Sequence, residues 1–387
     1  MEFSNYKIII IITLVVALTL LGLLLLLQRK RVRKSNRNYY VDALHALIEG
    51  RKEEALKLLV NAVKLGENST DAYLQLGNLL RERGQKDRAL QLHKGLMVRR
   101  NLTDAEEKAV TVAIAEDFEA LGNTDRAIQT LDQLSRSRKD PEVMLSLHGL
   151  YHSKGDYDKA YSCLKDVGKL DKSYGGARRA AYLARAADEL IRSGESSEAE
   201  RHLDRARRED KHSIPALYLS GMQAMKDGDL DAAVGYLERL LEVEIGYFSE
   251  VLPHLKKALF ESGRFQDLER LLTTLIERHP SETELLTELA SFYEKKGELD
   301  SAVRILEEEK DLLTGDPVAS ARLASLYLQK NDAGAARRIL DTIELDSSKT
   351  SIYYCGVCGN VSSAPLFYCA VCSNFDSFTR NHENISR

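Results

Sequence analysis

The stretch Leu76-Gly-Asn-Leu-Leu-Arg-Glu-Arg-Gly-Gln-Lys-Asp-Arg-Ala-Leu-Gln-Leu-His93 decides the fold. Tyr73, Leu76, Gly77 and Leu80 fall on one stripe of a first helix, spaced for a 3.6-residue period. Gly84 ends that helix, because a residue without a Cβ enters the left-handed cap conformation without a clash. Asp87 then stands in the first turn of a second helix, where a negative charge meets the positive end of the dipole. Ala89 and Gly77 keep the two helices close, and His93 and Leu96 continue the buried face.

The same pattern returns along the chain. Glycine followed five residues later by a small residue occurs as Gly50/Ala55, Gly84/Ala89, Gly122/Ala127, Gly155/Ala160, Gly194/Ala199, Gly228/Ala233 and Gly297/Ala302. Gly263/Leu268 and Asn331/Ala336 are degenerate copies that complete a series of nine. The steps run from 33 to 39 residues and cluster at 34, the period of a tetratricopeptide helix-turn-helix unit. One helical hairpin cannot bury both its faces, so hairpins must stack. The expectation is an all-α tetratricopeptide superhelix of about nine hairpins over residues 39–346.

The two longest steps place extra material at Met97–Lys108, with a Thr103-Asp-Ala-Glu106 capping signal, and at Leu170–Ala180, with Gly175-Gly176. Both are candidate hinges or partner loops. Pro141, Pro215, Pro253, Pro280 and Pro317 fall at or near the starts of first helices, where a missing amide hydrogen costs little.

The first 38 residues differ from the rest. Ile8–Leu27 is a 20-residue run without a charge, long enough at 1.5 Å per residue to cross a hydrocarbon core of roughly 30 Å. It meets Gln28-Arg-Lys-Arg31 with no small-residue cleavage site, so residues 1–28 read as an uncleaved single-pass transmembrane anchor. Six cations between Arg29 and Arg37, against Lys7 on the other side, predict that the body faces the cytoplasm. Residues 29–38 form a basic juxtamembrane segment suited to anionic headgroups. The whole chain carries a net charge of −4, so the body beyond this segment is acidic, which argues against nucleic acid as a partner.

The sharpest chemical signal lies at residues 347–380. Cys355-Gly-Val-Cys358 and Cys369-Ala-Val-Cys372 are two Cys-x-x-Cys turns separated by ten residues, the arrangement that sets four thiolates around one ion. Cys355, Cys358, Cys369 and Cys372 are therefore candidate metal ligands for one zinc ion, with iron the alternative for a closed tetrathiolate. The module is too short to bury a conventional core, so the ion must hold it together. Its aromatics, among them Phe367, Tyr368 and Phe375, give it an apolar face expected to dock on the last repeats. Four cysteines leave no open coordination position, so the site reads as structural rather than catalytic. Residues 381–387 read as a flexible tail.

His148 and His152 are spaced i, i+4, but no glutamate or third ligand follows, and both read as structural. Cys163 reads as core. No phosphate loop, serine elbow or Rossmann glycine pattern is present, no catalytic residue is assigned, and the chain is not expected to be an enzyme. Asn78 and Arg81, on the inner side of a first helix, are candidate partner contacts. Tyr40, Leu44, Asp71 and Leu74 do not supply the Lys and Asn set of a chaperone-type carboxylate clamp.

An anchor, nine tetratricopeptide copies and a terminal rubredoxin-like ribbon, in that order, resemble the lipopolysaccharide assembly protein B (LapB/YciM) family of Gram-negative bacteria. The run from Leu76 to His93 is similar to that family's second repeat, and the four cysteines match its metal ligands one by one. Ala370 and Phe375 stand where the family often has proline and tryptophan. The resemblance implies an inner-membrane adaptor that brings the deacetylase LpxC to the membrane AAA+ protease FtsH for degradation. It also implies contacts with other lipopolysaccharide assembly proteins, and it leaves a homo-oligomer open. The alternative is a generic membrane-anchored scaffold for another envelope or secretion assembly.

Overall fold

A computed structural model describes residues 38–65, 70–99, 102–137, 139–309, 316–341, 343, 353–362, 365–372, 374–376 and 378–380. The expected anchor and nearly all of the basic segment lie outside these residues. Among the described residues no helix is long and apolar enough to cross a membrane.

The chain divides into two compact units, Met1–Cys163 and Leu164–Arg387. The first contains α1 (Tyr39–Ile48), α2 (Lys52–Lys64), α3 (Thr70–Glu82), α4 (Lys86–Met97), α5 (Asp104–Ala120), α6 (Thr124–Ser137) and α7 (Pro141–Ser153), and α8 (Tyr157–Leu170) runs through the boundary. The second contains α9 (Gly176–Ser193), α10 (Ser196–Glu209), α11 (Ile214–Asp227), α12 (Leu230–Val243), α13 (Phe248–Glu261), α14 (Asp267–Arg278), α15 (Thr283–Lys295), α16 (Leu299–Glu308), α17 (Pro317–Gln329) and α18 (Ala333–Leu340). These pair into hairpins, giving the all-α tetratricopeptide fold that the repeat predicts. A small antiparallel sheet of order β2-β1-β3 follows, from β1 (Tyr353–Cys355), β2 (Val361–Ser362) and β3 (Phe378–Arg380).

The turn residues explain the hairpins. All nine predicted turn positions hold positive φ, from 60° at Asn331 to 89° at Gly194. Five residues on, the small or degenerate residue is buried in every copy, from Ala55 to Ala336, with exposures of 0–1%. Asn331 shows that the turn tolerates a side chain only of the type that enters the left-handed region most readily. In the first unit, leucines such as Leu59, Leu76 and Leu79 fill one cluster, and Val110, Ile114, Leu131 and Leu147 fill the next. Cys163 packs against the second of these, as its position suggested.

A polar strut joins the second hairpin to the third. Asp117 on α5 is completely buried, and its two oxygens meet Arg81 Nη1 of α3 at 2.7 Å and His93 Nδ1 of α4 at 2.5 Å. His93 Nε2 lies 3.3 Å from the carbonyl of Leu74, so both ring nitrogens face oxygens. Gly77 makes this possible. A Cβ there would meet the imidazole at 2.1 Å, so the constraint is the histidine ring rather than the approach of two backbones. In the fourth hairpin the large residue has moved to the first helix, where His148 Nδ1 lies 2.9 Å from the carbonyl of Ala160.

The two long connections are built rather than loose where they are described. Thr103 and Glu106 close the expected capping box at the start of α5. Lys172–Tyr174 forms a 3-10 turn, and Arg179 ties it to α10 through the Tyr174 carbonyl and the Glu209 carboxylate. Pro141, Pro215 and Pro317 sit in the first turns of their helices. Pro253 does not: it lies inside α13, whose first turn begins earlier, at Phe248.

Alanine normally stabilises a helix interior by about 1 kcal/mol relative to glycine. At Gly77 the sign should reverse, because the new methyl strikes a buried ring held by Asp117. Gly77→Ala is expected to destabilise the first unit by about 1–3 kcal/mol, read by chemical denaturation.

Candidate metal and docking site

The second unit ends in two cysteine turns carried by the small sheet. The amide of Cys355 bonds the carbonyl of Asn360 at 2.8 Å, and the amide of Cys369 bonds that of Asn374 at 3.0 Å, so both turns close the same way. Gly359, at φ 74°, lets the first chain leave its turn. The four sulfurs lie within 4.8 Å of one another, with Cys355–Cys372 at 3.6 Å and Cys358–Cys369 at 3.5 Å. A tetrahedral site with Zn–S of about 2.3 Å has sulfurs about 3.8 Å apart, so the cluster fits one tetrahedrally bound ion.

Local dipoles favour thiolates. Backbone amides of Cys372 and Val371 hold the Cys369 thiol below its ordinary value. At Cys358 the Asn360 amide pulls the same way, but desolvation and the three neighbouring sulfurs push that thiol to about 12. Crowded thiols of this kind need a cation to ionise together.

The module rests on the helices of the second unit through two neighbouring aromatic side chains. Phe367 is fully buried, and its ring stacks on Tyr218 of α11, with centroids 3.7 Å apart at 13°, and on Tyr247, with centroids 4.5 Å apart at 21°. Phe375 flanks it at 6.2 Å. The Phe367 amide donates to both carboxylate oxygens of Glu250 on α13, at 3.2 and 3.1 Å. The next residue, Tyr368, donates its hydroxyl to Asp188 Oδ1 of α9 at 2.7 Å. Arg192, one turn along α9, pairs with the other oxygen of Asp188 and lies over the Tyr368 ring. Burial raises the Glu250 carboxyl, opposed by the Phe367 amide. Tyr218 is pushed to about 12, mainly by burial and further by Glu250.

The contacts therefore fall on the first helices of the fifth, sixth and seventh hairpins, not on the last repeats as the sequence reading expected. The reason is that Asp188, Tyr218 and Glu250 together offer a slot with an acceptor at each side. Asp188 carried a faint signal, as an acid on the helical stripe of Leu183, Ala184, Ala187 and Ile191. Nothing in sequence pairs Glu250 with a backbone amide 117 residues away.

Arg81 donates to Asp117, Glu116 and Asn78, so its guanidinium is engaged with the third hairpin, and Asn78 accepts from it at 3.0 Å. His148 and His152 stack with ring centroids 6.4 Å apart, and neither belongs to a group that could hold a metal ion among the described residues.

A tetratricopeptide repeat family model matches residues 173–246 and 257–317. Lipopolysaccharide assembly protein B of Escherichia coli K12 is 24% identical over 343 residues, which covers 86% of this chain and 87% of that protein. The chain is a distant homologue of lipopolysaccharide assembly protein B. The Haemophilus influenzae protein of the same name is 27% identical over 243 residues, covering 60% of this chain and 61% of its own. Among solved structures, that of YrrB, a tetratricopeptide protein with an unusual peptide-binding site, covers 49% of this chain and 96% of its own, at 17% identity and a TM-score of 0.34. Homology, repeat and cysteine cluster agree with the resemblance drawn from the sequence.

Truncating a fully buried phenylalanine costs about 3–5 kcal/mol. Phe367→Ala should therefore loosen the cysteine module from the helices while leaving its four sulfurs together. Limited proteolysis should cut the variant's cysteine module much faster than that of the unaltered chain, and a chelator should strip bound metal from it sooner. Equal protection of the two chains would mean that the ring does not hold the module.

Proposed function

We propose that this chain is a membrane-anchored, non-enzymatic adaptor of lipopolysaccharide synthesis. In this reading it brings the deacetylase LpxC to the membrane protease FtsH, and organises other lipopolysaccharide assembly proteins at the inner membrane. The observation that carries it is the similarity to lipopolysaccharide assembly protein B over 86% of this chain and 87% of that one. The Ile8–Leu27 run supplies a single-pass anchor, and the cations that follow it keep the solenoid of residues 39–346 and the ribbon of residues 347–380 on the cytoplasmic side.

The mechanism is confinement. A tethered scaffold that holds a client beside a membrane protease raises their mutual effective concentration, toward the millimolar range for short tethers, without a chemical step of its own. Cys355, Cys358, Cys369 and Cys372 would hold one zinc ion, whose role is to tie the two cysteine turns into a folded module; iron is the alternative. Asn78 and Arg81 would meet a client at the edge of the strut to Asp117, so a client acid there would share Arg81 with Glu116.

Deletion in the native host tests the pathway: the deacetylase level and the amount of lipopolysaccharide should both rise. No change in either would reject the reading, and a cross-linked complex lacking both the protease and lipopolysaccharide enzymes would point to the generic scaffold. Cys355→Ser tests the ion separately. Metal analysis should read less than one zinc per chain, with the ribbon's aromatics newly accessible to proteases. Full metal content in that variant would break the ligand assignment.

A further inference from the structure

We propose that a groove in the first unit, between the first helices of the third and fourth hairpins, binds a segment of a partner protein in which a leucine-sized side chain is flanked by lysine or arginine. The groove has a volume of about 240 Å³. Val112 and Ala115 of α5 form one wall, Leu145 and Gly149 of α7 form the other, and Leu131 and Leu150 lie beneath. Gly149 keeps it open. Its position is helical and exposed, and a Cβ there would meet nothing within 4 Å, so the space beside it is accessible to another molecule.

Size and charge together select the occupant. Small-molecule pockets run from roughly 300 to 1,000 Å³ and enclose their ligand, so this groove suits one apolar side chain of a larger partner. Its rim is acidic. Glu116 and Glu119 stand on the same face of α5, one turn apart, and both are exposed. Glu116 shares the Arg81 guanidinium with the buried Asp117, so one cation there serves two carboxylates. Glu119 forms no ion pair among the described residues. On the α7 side, Ser146 donates its hydroxyl to the Glu142 carbonyl, and Lys108 is held by Asp140 and Glu142. An incoming cation therefore finds acceptors, whereas an incoming acid finds no uncommitted donor among the described lining residues. The proposal rests on the groove itself and holds whichever pathway the protein serves.

The test uses the full-length chain in detergent and two fluorescein-labelled peptides, Gly-Ser-Lys-Arg-Leu-Lys-Arg-Ser-Gly and the same peptide with glutamate at each basic position. Fluorescence anisotropy should show binding of the basic peptide only, weakening as salt rises from about 50 to 300 mM. Gly149→Phe, which fills the groove, and Glu119→Lys, which inverts its rim, should each lower the affinity at least tenfold, with helical circular dichroism and melting temperature unchanged. Equal binding of the two peptides, or full affinity in both variants, overturns the proposal. A chain that takes the basic peptide only after Arg29, Lys30, Arg31, Arg33, Lys34 and Arg37 are changed to serine also overturns it, because the groove is then filled by the chain's own basic stretch.

Discussion

Every hairpin here depends on one local constraint: a residue at positive φ followed, five positions later, by a side chain small enough or well enough packed to vanish between two helices. The turn fixes where the second helix begins, and the buried residue fixes how closely it lies against the first. With those two conditions met nine times, the leucine stripes of successive helices have only one another to cover them. Local backbone chemistry thus sets the geometry, and apolar burial supplies the driving force. Asn331 marks the limit of tolerance, since it meets the backbone requirement with a side chain that costs less in the left-handed region than most others.

Buried carboxylates do a different job. Asp117 and Asp188 are both buried, and each finds a partner on another element: Arg81 and His93 for the first, and Tyr368, beside Arg192 of its own helix, for the second. Glu250, half-buried, accepts a backbone amide with both oxygens. Desolvating a carboxylate is costly, and leaving it unpaired is costlier still, so such groups add little net stability while penalising any arrangement in which the partner is missing. They select one seating where apolar surfaces alone would accept several. Leucine stripes can slide by a turn, but the fork between Asp117, Arg81 and His93 cannot.

The repeat was legible because it is local. A glycine and an alanine five residues on carry their meaning within one helical hairpin, and seven full copies with two degenerate ones make the meaning plain. The cysteine turns were legible for the same reason, each needing four consecutive residues. What could not be read were contacts between distant segments. Sequence gives Phe367 as one aromatic among several, and only the fold brings it to Tyr218, Tyr247 and Glu250 rather than to the last repeats. Nor does sequence show that Arg81 is held by Asp117, 36 residues later. Pro253 read as a helix start because proline favours first turns, but α13 begins at Phe248 and carries the proline inside.

The cysteine module has little core of its own, and this shapes how it can be stable. Its largest fully buried side chain, Phe367, is covered mainly by tyrosines of the helical hairpins, so the module's core lies partly outside the module. A segment this short cannot hold its own fold by apolar burial. Two supports suit it: an ion, which the four sulfurs are placed to hold and which would fix the two turns relative to each other, and the helical slot, which fixes the second turn against the helices. Each makes the other more effective. A module ordered by an ion presents Phe367 and Tyr368 together, so the slot loses less entropy in binding them, and a docked second turn holds Cys369 and Cys372 ready for the first. Loss of either support would therefore weaken the other, and the helices of the fifth to seventh hairpins would add to the stability of an ion held by the four sulfurs without contributing a ligand.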